Sequence, residues 1–75
     1  MGSNPFKARV VDAIYQLRTG QYGAYAVIAE HLVSKKGSAP HTALTEAISE
    51  MGVTETEMND WKQLYRRPSR FAGAR

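Results

Sequence analysis

The chain contains no cysteine. That closes the disulfide route by which many small secreted domains are stabilised, removes thiolate chemistry, and fits a reducing compartment. It also lacks any apolar run approaching the roughly 20 residues that a membrane-spanning helix needs, and its opening residues show no basic-then-apolar signal pattern. A cytoplasmic location is therefore expected. Histidines are scarce: His31 and His41 stand on different predicted elements and read as surface or half-buried side chains. A metal centre needs several converging ligands, so none is expected. Gly20, Gly23, Gly37, Gly52 and Gly73 are spaced as punctuation and form no Gly-x-x-x-x-Gly-Lys phosphate cradle. The scattered serines come with no base and orienting partner in sequence. These absences predict a protein without catalytic residues, metal or cofactor, one that acts by binding.

What is present suffices for one small domain. Seventy-five residues, 43% of them hydrophobic, allow a single packed core. Chains of this size hide only about 60% of the surface exposed on unfolding, so stability should be modest. Met1-Gly2-Ser3 reads as an expression scar before a native start near Asn4-Pro5. The domain is predicted over residues 4–67, followed by a flexible basic tail over 68–75.

The net charge of +3 hides a segregation along the chain. Residues 1–37 carry Lys7, Arg9, Arg18, Lys35 and Lys36 against Asp12 and Glu30. Residues 38–60 carry Glu46, Glu50, Glu55, Glu57 and Asp60 with no base. Residues 61–75 carry Lys62, Arg66, Arg67, Arg70 and Arg75 with no acid. A uniformly basic nucleic-acid binder is not patterned this way.

The periodicity predicts an all-α fold, a compact bundle of four short helices arranged either up-and-down or as a crossed, helix-turn-helix-like array. The first helix starts at the cap Asn4 with Pro5 behind it, buries Phe6, Val10, Ala13, Ile14 and Leu17, and stops at Gly20. The second runs from about Ala24 to Lys35, with Val27 or Ile28, Leu32 and Tyr25 inward, alanines 24, 26 and 29 permitting a close neighbour, and Gly37 as its stop. The third runs from about Pro40 to Met51, with Leu44, Ala47, Ile48 and Met51 inward and Gly52 ending it. The fourth opens with Thr54 and Glu57 as a capping box and Val53 with Met58 as a hydrophobic staple. Its apolar face is Met58, Trp61, Leu64 and Tyr65. Trp61 and Tyr65 read as core, and of Tyr15, Tyr22 and Tyr25 one or two should lie outside it. Pro68 prevents continuation.

A DNA-reading helix-turn-helix has to be weighed. A recognition helix presents Arg, Lys, Asn or Gln to base edges near its N-terminus. The third helix offers His41, Thr42, Thr45, Glu46 and Glu50 instead, and its connection to the second exceeds the usual 3–4 residues. Specific DNA binding is expected to be weak or absent, with a small DNA-binding repressor as the alternative and an assembly component as a third class. The better candidates for contact are Arg66, Arg67, Arg70, Phe71 and Arg75, which combine charge with an aromatic, and a second basic spot at Lys35 and Lys36. Arginine and aromatic residues are over-represented at interface hot spots.

The opening Asn-Pro-Phe-Lys-Ala-Arg-Val-Val-Asp-Ala-Ile of residues 4–14 and the ending Leu-Tyr-Arg-Arg-Pro-Ser-Arg-Phe-Ala-Gly-Ala-Arg of residues 64–75 resemble the small transcription regulators encoded by lytic bacteriophages, which bind the host's multisubunit RNA polymerase. The resemblance extends over residues 4–75 and rests on overall likeness and length, without a diagnostic motif. It implies contact with the large polymerase subunits, interference with sigma factor and so with initiation, an effect on termination (antitermination), and action in the cytoplasm of an infected cell; a monomer is expected. No motif fixes a contact residue, and none is carried over.

Overall fold

The first helix of the computed structural model, which describes residues 4–66, is α1, Pro5–Arg18. The Asn4 side-chain oxygen accepts the Phe6 N–H at 2.9 Å, and Pro5 fills a position whose N–H would have no helical partner. Val10, Ala13, Ile14 and Leu17 follow at the spacing of one helical face, and all four are buried. Phe6 is only half-buried and meets the His31 ring edge-on at 6.0 Å. The helix closes in a Schellman motif. The Gln21 N–H donates to the Gln16 carbonyl at 2.9 Å and the Gly20 N–H to Leu17 at 3.1 Å, with Gly20 at φ 94°.

A 3-10 turn at Tyr22–Ala24 leads directly into α2, Tyr25–Leu32. This helix ends three residues before its predicted limit of Lys35. The Ser34 hydroxyl donates to the Glu30 carbonyl at 3.2 Å and the Ser34 N–H to His31 at 3.2 Å, a local competition for the last carbonyls that serine offers. Gly37 consequently does not cap α2. At φ 85° it occupies the third position of a turn closed by Ser38 N–H to Lys35 carbonyl at 3.0 Å. The inward stripe of α2 is Tyr25, Ile28 and His31, each three residues apart, which turns Leu32 outward. Burial pushes the Tyr25 hydroxyl above its ordinary pKa.

His31 thus sits in the core and not at the surface. Its Nδ1 lies 2.7 Å from the Val27 carbonyl, while Nε2 is buried with no hydrogen-bond partner among the described residues. The imidazole fills space one turn beyond its own hydrogen-bond acceptor.

The third helix, α3, is Ala39–Glu50, capped by the Ser38 hydroxyl accepting the His41 N–H at 3.4 Å. Ala43, Leu44 and Ala47 are its buried residues, with Ile48 and Met51 half-buried. The pairing of α1 with α3 is the most extensive in the molecule. The fully buried alanines lie here, at Ala13, Ala43 and Ala47, where small side chains let helices approach closely. The three alanines expected to admit a close neighbour play a lesser part, since Ala24, in the 3-10 turn, and Ala29 are half-buried and Ala26 faces outward.

A second Schellman motif ends α3, with Val53 N–H to Ile48 at 3.0 Å, Gly52 N–H to Ser49 at 3.3 Å, and Gly52 at φ 64°. Val53 is buried and so serves two elements, as the apolar residue that closes α3 and the staple that opens α4, Glu55–Arg66. The Thr54 hydroxyl accepts the Glu57 N–H at 3.1 Å. Arg18 engages the Glu57 carboxylate through Nε and an Nη, both at 2.8 Å, and holds it below its ordinary pKa, so that carboxylate is turned to Arg18. The capping box therefore works chiefly through Thr54. Thr54→Ala is expected to cost about 0.5–2 kcal/mol, read as a lower urea midpoint at unchanged slope; an unchanged midpoint would mean the hydroxyl is not the cap.

The fourth helix rests on the 3-10 turn and α2, with Trp61 buried and Met58 half-buried. Leu64 and Tyr65, expected inward, remain exposed, since the core cluster takes Trp61 from α4, with Met58 packed against it. No strand occurs among the described residues. The connection between α2 and α3 spans residues 33–38, longer than a helix-turn-helix turn. The expected tail, residues 68–75, and Arg67 lie outside the described residues.

Candidate binding surface

The charges segregated along the chain are largely recombined in space, and α1 is the reason. Lys7 reaches Glu50 with Glu46 at 3.8 Å, Arg9 reaches Glu30 at 3.6 Å, and Arg18 grips Glu57. The bond to Glu50 raises the pKa of Lys7, and that to Glu57 raises the pKa of Arg18. Exposed pairs of this kind are worth about 0–1 kcal/mol each. Their larger consequence is electrostatic: three of the five acids in residues 38–60 face a base, leaving Glu55 and Asp60 without an ion pair among the described residues. The broad acidic face implied by the sequence is therefore mostly compensated.

The bases left without an ion pair among the described residues are Lys35, Lys36, Lys62 and Arg66. They fall into two groups. Arg66 ends α4, beside Leu64 (38% exposed) and Tyr65 (36%), with Lys62 one turn back. The Tyr65 ring leans on Tyr25 with centroids 5.6 Å apart and planes at 43°, so one side of the phenol is supported and the other faces solvent. Lys35 and Lys36 are exposed in the loop after α2. Tyr25 begins α2 and the lysines follow its end, so the length of that helix, about 12 Å, separates the two groups. Of the residues picked out in sequence, Lys35 and Lys36 thus follow the end of α2, and Arg66 follows Tyr65, which rests against the first residue of α2. Arg67, Arg70, Phe71 and Arg75 lie outside the described residues.

Sequence reasoning missed Leu32, Val33, Leu64 and Tyr65 as exposed apolar groups. For Val33 a signal existed: it falls between the Leu32 and Lys35 positions of the predicted helix and belongs to neither face of its stripe. For Tyr65 there was none, because periodicity puts it on the same stripe as Trp61 and only the packing of α4 separates them.

Between the end of α3 and α4 lies an open groove of about 320 Å³, floored by Tyr25, Ile48, Val53 and Met58 and rimmed by Thr54, Glu55, Asn59 and Lys62. Among the described residues no group of three or more histidine and acidic side chains could hold a metal ion. The outward side of α3 carries Thr42, Thr45, Glu46, Ser49 and Glu50, with the two glutamates turned to Lys7. No helix among the described residues is long and apolar enough to cross a membrane. No family model, curated protein or solved structure matches the chain.

Proposed function

We propose that the protein is a non-enzymatic regulator of transcription that docks on the large subunits of its host's bacterial RNA polymerase, interferes with sigma factor and so inhibits initiation, with an effect on termination. The polymerase and sigma parts of this reading come from the resemblance of residues 4–14 and 64–75 to phage regulators. The observation that supports docking is the last turn of α4, where Tyr65 and Leu64 stay exposed beside Lys62 and Arg66, which have no ion pair among the described residues. Rigid aromatic and arginine side chains contribute much of the energy of protein interfaces, and unpaired bases steer an acidic partner and fix its register. In sequence Arg67, Arg70, Phe71 and Arg75 extend the same chemistry. DNA as the principal ligand is disfavoured by the outward side of α3, which offers hydroxyls and carboxylates where base readout needs amides and guanidinium groups.

The test is promoter-dependent transcription by purified bacterial holoenzyme with increasing amounts of the full chain. Wild type should suppress initiation, and Tyr65→Ala with Arg66→Glu should raise the amount needed at least several-fold at equal helical signal. Charge reversal at Arg67 and Arg70 should act in the same direction. Undiminished transcription at saturating protein, or a sequence-specific duplex complex that weakens steeply with salt, would overturn the reading.

A further inference from the structure

We propose a second docking patch, formed by Leu32, Val33, Lys35 and Lys36 at the α2–α3 loop, that seats an acidic protein surface. The proposal rests on the polymerase reading and assigns that partner a contact separate from the end of α4. Val33 is 84% exposed, the most exposed of the large apolar side chains of the described residues, and Leu32 beside it is 43% exposed. Two apolar groups held in water are flanked by two lysines that find no carboxylate within ion-pair distance among the described residues.

The loop that carries them is fixed at both ends. Val33 N–H is bonded to Ala29, the Ser34 hydroxyl and N–H hold Glu30 and His31, and the Lys35–Ser38 turn is closed through Gly37 at φ 85°. A patch ordered before binding loses little conformational entropy when a partner arrives.

Charge and polarity select the occupant. A second copy meeting the patch about a two-fold axis would set lysines against lysines. A phosphodiester backbone answers the lysines and offers nothing to Val33 and Leu32. Two lysines contribute about 1 kcal/mol each at an anionic membrane, and two aliphatic side chains on a loop make no amphipathic helix to insert. A protein surface with carboxylates around an apolar depression satisfies all four residues. Two such contacts the length of α2 apart on one partner would reinforce each other through effective concentration.

The experiment measures binding of the full chain to purified core RNA polymerases from a panel of Gram-negative and Gram-positive bacteria. For a polymerase that binds wild type, Val33→Asp should weaken affinity at least tenfold, mainly through faster dissociation. Lys35→Glu with Lys36→Glu should slow association and flatten its salt dependence. All three positions lie outside the helices and are exposed, so helical signal should not change; if Val33→Asp fails to fold, the lysine variant decides alone. Wild-type affinity in both variants, with loss on Tyr65→Ala and Arg66→Glu, overturns the second patch and leaves the polymerase reading standing. Failure of wild type on every polymerase overturns both. Loss by the same variants of binding to a DNA duplex or to phosphatidylserine vesicles, or of wild-type self-association, with polymerase affinity intact, overturns the assignment of the occupant.

Discussion

Replacing Trp61 by alanine is expected to remove about 3–5 kcal/mol of stability, the range for truncating a large buried aromatic. A chain of this size is stable by roughly 4–11 kcal/mol in all, at the usual 0.05–0.15 kcal/mol per residue, so the variant should lose from about a quarter to all of its stability. The cost should be concentrated in α4. Trp61 is the only buried residue of that helix, which reaches the rest of the molecule mainly through the 3-10 turn and α2. Without the indole, little apolar area remains to hold the helix in place, since Leu64 and Tyr65 already face solvent and Met58 is half-covered. Thermal unfolding followed by circular dichroism should show a midpoint lowered by roughly 12–40 °C, at about 4–8 °C per kcal/mol for a domain of this length. A midpoint within a few degrees of wild type, accompanied by loss of polymerase binding, would relocate Trp61 from the core to the interface.

The contrast between Trp61 and Tyr65 shows what the sequence could convey. Both lie on the apolar stripe of α4, four residues apart, and periodicity treats them alike. Their fates differ in packing: Trp61 is buried within the core cluster, whereas Tyr65 rests against Tyr25 at the start of α2 and stays 36% exposed. Features governed by a few adjacent residues were legible: the Asn4 cap, the glycine stops after α1 and α3, the Thr54 cap with its Val53 staple, and so the existence of four helices. Features decided by a local competition were less so. α2 ends early where the Ser34 N–H turns to the His31 carbonyl, which a count of helix-favouring residues up to Lys35 does not register. Features decided by packing at a distance were not legible at all. Linear charge segregation implied an acidic face, yet Lys7, Arg9 and Arg18 on α1 each find an acid on a different helix. The two basic spots named from sequence remain the candidates, and the structure sets exposed apolar side chains beside each, Leu64 and Tyr65 next to Arg66 and Leu32 and Val33 next to Lys35 and Lys36.

The same argument applied within α2 yields a sharper test. Ile28 and Leu32 are four residues apart, similar in volume, and both inward by simple helical periodicity. The structure separates them: Ile28 is fully buried within the cluster that includes Val10, Ile14 and Leu44, whereas Leu32 is 43% exposed. The burial of Tyr25, Ile28 and His31 at intervals of three is what rotates Leu32 away. Truncation at Ile28 removes buried methyl groups and leaves a cavity that rigid neighbours on α1 and α3 cannot fill, for a cost of about 2–5 kcal/mol. Truncation at Leu32 removes surface that is already partly in water and opens no enclosed space, and the change should stay within about 1 kcal/mol. Urea unfolding of Ile28→Ala and Leu32→Ala, at matched slopes, therefore should give midpoints far apart, with Leu32→Ala near wild type. Equal losses would restore the wider helical stripe, place Leu32 in the core, and remove it from the docking patch beside Val33. A large loss at Ile28 with almost none at Leu32 leaves Leu32 available for contact, and its truncation should then register in polymerase affinity while the fold is unaffected.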